Sequence, residues 1–214
     1  MQALWILAVC GWVGAVWAAG EAPVAEQPAG SAAAAQVAAA PAGEVQVLLG
    51  DAQRRLLEEK WSEAAALYEK ILQKDPGSQE ATFGLGTAYG QLERYSEALG
   101  LLEGLLKQTQ DSPALKNNIA WIYVKAKDPA VRDPQKALKL ARDAVLVTPA
   151  DYNIWNTLAE AYYGLKTYDK ALRSARQALR LSQLAGVPDD RPYQELVDRC
   201  QSALDKAAKG PPTQ

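Results

Sequence analysis

Residue types that do chemistry are sparse in this chain of 214 residues. Histidine is absent, which removes the commonest general base and the commonest metal ligand. The two cysteines, Cys10 and Cys200, are far apart and give no Cys pair of the kind that holds zinc. Two acidic pairs, Glu58-Glu59 and Asp189-Asp190, have the composition for acid–base work. They fall at a helix end and in a loop, where they read as solvated surface. Gly84-x-Gly86 has part of a phosphate-cradling pattern, yet it lies within helical periodicity rather than after a strand. Its glycines suit close helix packing instead. The expectation is no enzyme: no catalytic residue, no cofactor and no bound metal.

The elements that carry these residues read as helices throughout. Trp155, Leu158, Ala159 and Tyr162 recur at helical spacing, and Ala171, Ala175 and Ala178 form the next stripe. Upstream, the same order returns as Leu85, Gly86, Tyr89, Ala98, Leu102 and Leu105. Between them lie Ile119, Ala120 and Tyr123, then Ala137, Ala141 and Ala144. A worn first copy reads Leu48, Ala52, Ala64, Tyr68 and Ile71. Small residues on the second stripe let two helices approach closely, and large residues on the first fill what remains. One such unit cannot bury its apolar face alone, and stacking several makes a continuous core.

This pattern resembles the tetratricopeptide repeat (TPR), a helix–turn–helix unit of about 34 residues. The resemblance implies an all-α fold, a right-handed superhelical solenoid of antiparallel helix pairs. Its four units span about 44–78, 79–112, 113–151 and 152–185, forming a domain over 44–185. Residues 186–214 follow as a capping helix and tail. Within them, Pro192 to Lys209 read as the helix, with Leu196, Cys200, Ala203, Leu204 and Ala207 on one side. A repeat array needs such a terminal element with a polar outer face.

Breaks in the pattern fit helix ends. Asp75-Pro76-Gly77 closes one unit, with proline blocking continuation and glycine available for a left-handed cap. Thr148-Pro149-Ala150-Asp151 closes another. Ser112-Pro113 reads as an N-cap followed by proline at the first helical position. The turns Glu59-Lys60-Trp61, Glu93-Arg94-Tyr95 and Lys166-Thr167-Tyr168 each place an aromatic three residues before the key alanine. That spacing predicts a ring packed across the hairpin. The third unit departs, with thirteen residues between Tyr123 and Ala137 where the second and fourth units have eight. In this insert, Asp133 reads as an N-cap and Pro134 as the first helical residue. The loop has two readings, a recognition loop presenting Arg132, or an elbow in which Arg132 caps a carbonyl or pairs with Asp128.

The first nineteen residues carry no charge, and Leu4 to Trp17 is an apolar run. Val16-Trp17-Ala18 offers a small-residue cleavage pattern, so residues 1–18 read as a signal peptide for a periplasmic or secreted protein. The alternative is an uncleaved membrane anchor over residues 4–19, short for a span that needs roughly 17–25 residues. Leu7-Ala8-Val9-Cys10 fits a lipoprotein box poorly. Residues 19–43 are rich in Ala, Pro, Gly, Glu and Gln, a linker composition that cannot offset the entropy of ordering. After cleavage Cys200 would stand alone, and on an apolar stripe it reads as a small buried hydrophobe.

The net charge is −2 and the isoelectric point about 5.4, with Lys and Arg scattered among Asp and Glu. Nucleic acid is therefore not an expected partner, and a membrane enters only through the N-terminal segment. In the resembled family, first helices of successive units line a concave groove. Position by position, this implies Phe83, Thr87 and Gln91, then Asn117, Trp121 and Lys125, then Asn153, Asn156, Glu160 and Tyr163. Aromatic rings bury area and asparagine bonds an extended backbone as donor and acceptor, so a protein or peptide partner is expected. For Trp121, a groove place and a core place are equally open. The expected function is a scaffold of the cell envelope that binds a peptide or protein segment during assembly or secretion. Self-association of the array as a homo-oligomer is the alternative, and an enzyme with an unrecognised site stands behind it.

Overall fold

The computed structural model describes residues 42–109 and 112–209. The residues read as signal peptide and most of the linker lie outside that range, as does the tail after Lys209. Among the described residues the chain forms nine α-helices and no strand. They are α1 (Ala42–Leu57), α2 (Trp61–Lys74), α3 (Gln79–Gln91), α4 (Tyr95–Gln108) and α5 (Pro113–Lys125). There follow α6 (Pro134–Val147), α7 (Tyr152–Gly164), α8 (Tyr168–Leu184) and α9 (Arg191–Ala208).

The described residues fall into two compact parts, 42–88 and 89–209. In the first, α1 packs along α2. Ala52, Ala64, Tyr68 and Ile71 are buried there, with Leu49, Leu56 and Leu85. Tyr68 lies against Gly84 of α3, where an added Cβ would fall 2.2 Å from the ring carbon Cζ. Gly84 is required because no other residue leaves room for the ring.

In the second part each helix from α4 to α9 packs on the next, and α5 also meets α7, as α7 meets α9. The alanine stripes sit at the seams: Ala137, Ala141, Ala144, Ala171, Ala175 and Ala178 are all fully buried. Cys200 is fully buried as well, in a cluster with Ala159, Leu172, Ala175, Leu196 and Val197. Burial pushes its thiol up to about 11, so it packs as a hydrophobe and stays protonated. Helix α9 buries Tyr193, Leu196, Val197 and Cys200.

The caps follow local chemistry. The Ser112 hydroxyl accepts from the Leu115 N–H, and Asp133 accepts from the N–H groups of Gln135 and Lys136. Three hairpin turns share one device. Glu59, Glu93 and Lys166 adopt left-handed φ values of 57°, 60° and 57°. In each, that residue's N–H bonds back three residues and the next N–H bonds back five, for example Lys166 to Tyr163 and Thr167 to Tyr162. This is a Schellman closure with a charged residue in the place glycine usually takes. Gly186, with φ 67°, closes α8 in the same way. Across the last hairpin, the Tyr163 and Tyr168 rings meet edge-on at 5.5 Å, as the aromatic spacing predicts.

Two local expectations need correction. Gly77 takes no left-handed conformation. The Asp75 carboxylate accepts the Gly77 N–H instead, and Pro76 ends the helix without a glycine cap. For the inserted elbow, the reading in which Arg132 caps a carbonyl or pairs with Asp128 does not hold, and the reading in which Arg132 is presented to solvent does. Asp128 accepts from the N–H groups of Ala130, Val131 and Arg132, and the Asp133 N–H donates to the Tyr123 carbonyl. Arg132 is exposed, and its guanidinium has no partner among the described residues.

Candidate partner-binding face

Within residues 89–209, three helices present one continuous face: α5, α7 and α9. Their alignment follows from the repeat, since α7 packs on α5 and α9 packs on α7, each two elements on. Glu160 of α7 sits at the centre with its side chain 13% exposed. Its carboxylate accepts from Lys125 of α5 at 2.8 Å and from Arg199 of α9. Burial alone would raise the Glu160 carboxyl, but the two cations together hold it below the usual carboxylate range. The Arg199 guanidinium also lies over the Tyr163 ring, 4.7 Å from its centre.

Deeper between the same helices, the Tyr193 hydroxyl donates to Asn153 Oδ1 at 2.9 Å. Tyr193 in turn meets Tyr152 edge-on at 5.5 Å. Asn153 and Asn117 are 2% and 4% exposed, so these amides belong to the packing between helices. Asn117 Oδ1 and Asn153 Nδ2 have no hydrogen-bond partner among the described residues. An open hollow of about 610 Å³ adjoins the face, lined by Tyr163, Tyr168, Arg199, Ser202, Ala203 and Lys206, among others.

A tetratricopeptide-repeat profile matches residues 55–122, and a second matches residues 130–185. Together they cover more than half of the chain. This chain is a tetratricopeptide-repeat protein. The TPR fold supports a protein–protein interaction scaffold, and such repeats are generally non-enzymatic.

A curated relative, the "Beta-barrel assembly-enhancing protease" of Yersinia pestis, is 29% identical over 146 residues. The match covers 66% of this TPR chain but only 29% of the relative, so the chain spans less than a third of that protein's length. Among solved structures, a thermophilic TPR protein of Thermus thermophilus aligns with a TM-score of 0.63 at 23% identity. That alignment covers 79% of this chain and 93% of the other. MamA of Desulfovibrio magneticus RS-1 aligns with a TM-score of 0.54 at 17% identity, over 78% and 94%. At these identities the likeness speaks for the fold alone.

The TPR groove positions separate by burial and bonding. Asn156 and Tyr163 are half-buried on the open side of α7. Trp121 is half-buried too, and a Cβ at Gly90 would lie 3.6 Å from its ring, so its inner edge packs on α3. Lys125 and Glu160 form the brace described above. Gln91 is half-buried, with its Oε1 enclosed. Phe83 and Thr87 lie in the 42–88 part, half-buried on α3, where the Thr87 hydroxyl donates to the Phe83 carbonyl. Sequence reasoning missed Arg199 and Tyr193. Both belong to α9, whose polar side was read as the outer face of a cap. The available signal was that α9 takes the place of a further first helix, which puts its polar residues beside Glu160.

Proposed function

We propose that this TPR protein holds an extended segment of a partner protein across α5, α7 and α9, as a scaffold of the cell envelope. The observation that carries the reading is the brace at Glu160. It fixes three successive first helices as one face and leaves Asn156, Tyr163 and the outer edge of Trp121 beside it. A rigid face loses little entropy when a partner docks. The Asn156 amide offers both a donor and an acceptor to a peptide backbone. Tyr163 and Trp121 offer ring area for its side chains.

Two features support the envelope setting. The uncharged apolar run before the linker has the form of an export signal, and the Yersinia pestis relative is named for β-barrel assembly. That relative's protease activity is not carried over, because the match covers only a minor share of it. This chain acts by binding rather than by turnover.

The test is capture from envelope extracts by the full chain, with Asn156→Ala and Tyr163→Ala combined as the comparison. A specific partner should be lost from the variant while helical circular dichroism at the assay temperature stays unchanged, even though losing the Tyr163 contacts to Tyr168 and Arg199 lowers the melting temperature. A partner retained at full yield removes the face from α5, α7 and α9. A mature N-terminus at Ala19 is the expected processing product, and an intact Met1 would overturn the cleaved signal peptide in favour of the uncleaved anchor.

A further inference from the structure

We propose a second binding site between α6, α7 and α8, which takes an acidic partner segment anchored by one large apolar side chain. The site is a cleft of about 360 Å³ on a different stripe of α7 from the face above. Trp155, Leu158 and Tyr162 of α7 form its apolar wall, with Val145 and Leu146 of α6 opposite. Arg142, Lys170 and Arg173 stand at its polar rim, and Ser174 completes the lining.

Three observations set this cleft apart from an ordinary seam. The alanine stripes of α6 and α8 close tightly beside it, yet Leu146 stands 82% exposed at its edge. Trp155 is held in place by its indole N–H, which donates to the Pro149 carbonyl at 2.8 Å. The wall is thus ordered before any partner arrives. The rim charge is also one-sided. Asp169 neutralises Arg173 across 2.6 Å, but Arg142 and Lys170 have no ionic partner among the described residues. Lys170 lies over the Tyr162 ring at 5.8 Å, which places its ammonium above the apolar wall.

An apolar wall under two uncompensated cations selects against basic and neutral segments and favours an apolar side chain flanked by carboxylates. The occupant is a protein segment because the wall offers ring faces in a cleft of side-chain size.

The test uses the full chain and a labelled, end-blocked heptapeptide with one phenylalanine between two runs of three glutamates. Fluorescence anisotropy should show saturable binding near about 1 mM or tighter. Arg142→Glu combined with Lys170→Glu should weaken it about tenfold, and raised salt should do the same. Leu146→Ser should weaken it without moving the melting temperature, since that side chain is exposed. Asn156→Ala with Tyr163→Ala should leave it unchanged, which separates this site from the face on α5, α7 and α9. The proposal is overturned by equal binding of a peptide with lysines for the glutamates, or by indifference to the charge reversal. It is overturned as well if vesicles of anionic lipid, or a second copy of the chain, occupy the cleft in place of the peptide.

Discussion

Two helix junctions in this protein are held by opposite means. In residues 42–88, Tyr68 packs onto the bare backbone of Gly84, and the contact is set by volume. In residues 89–209, α5, α7 and α9 meet at Glu160, and there, outside the buried cluster of α7 and α9, the contact is set by charge. A volume-set seam has no slack, since interiors are packed as densely as organic crystals. A charge-set seam stays at the surface, responds to pH, and leaves neighbouring side chains free to touch a partner. The repeat uses the first means to stack and the second to display.

The sharpest way to break that contrast is Gly84→Ala. The added Cβ would overlap the Tyr68 ring, and it should destabilise the protein by about 3 kcal/mol in urea denaturation, even after alanine's better helix propensity. Combined with Tyr68→Ala, the total loss should fall short of the sum of the two single losses, because the clash is with that ring. If Gly84→Ala unfolds no earlier than the native chain, the seam has slack and the contrast fails.

Glu160→Gln should act less, by about 1–2 kcal/mol, since Lys125 and Arg199 are 37% and 44% exposed and water screens them. The sign with pH follows from the lowered Glu160 carboxyl. Its contribution is present above the unfolded value of about 4.3 and is lost as pH falls through the lower folded value. The native chain should therefore lose stability below about pH 4 more steeply than Glu160→Gln. Parallel pH curves for the two proteins would show that the brace carries no charge-dependent energy.

The smallest effect is a gain. Lys166 holds a left-handed φ that glycine adopts without strain, so Lys166→Gly should raise stability by about 0.5–1 kcal/mol. An unchanged melting curve would mean that the turn relaxes to suit lysine. The gain would leave the α5–α7–α9 face untouched and so confirm that hairpin closure and face are separable.

Much of the fold was legible from spacing. The alanine stripes, the caps at Ser112 and Asp133, the ring across the last hairpin and the burial of Cys200 all follow from periodicity and local hydrogen-bond chemistry. Gly84 was legible as a close-packing residue, though not its partner. The left-handed turns were not legible, because Glu and Lys give no conformational signal there. The face was legible only in outline. Spacing placed Asn117 and Asn153 beside Asn156, but it cannot tell a buried amide from an open one when they lie one turn apart. The Glu160 pairing joins residues 35 and 39 positions away, and no local pattern encodes it.

By itself the sequence determined the repeat, because apolar period, small-residue stripes and helix ends are properties of neighbouring residues. It also determined the poverty in histidine and cysteine that sets catalysis apart from the expected function. Tertiary structure alone decided that the last helix joins the face, that Glu160 binds two neighbouring helices, and that a basic-rimmed cleft stays open beside Trp155. The physical reason is that charge pairing and cleft depth depend on distances between helices, and those distances exist only once the alanine seams have closed.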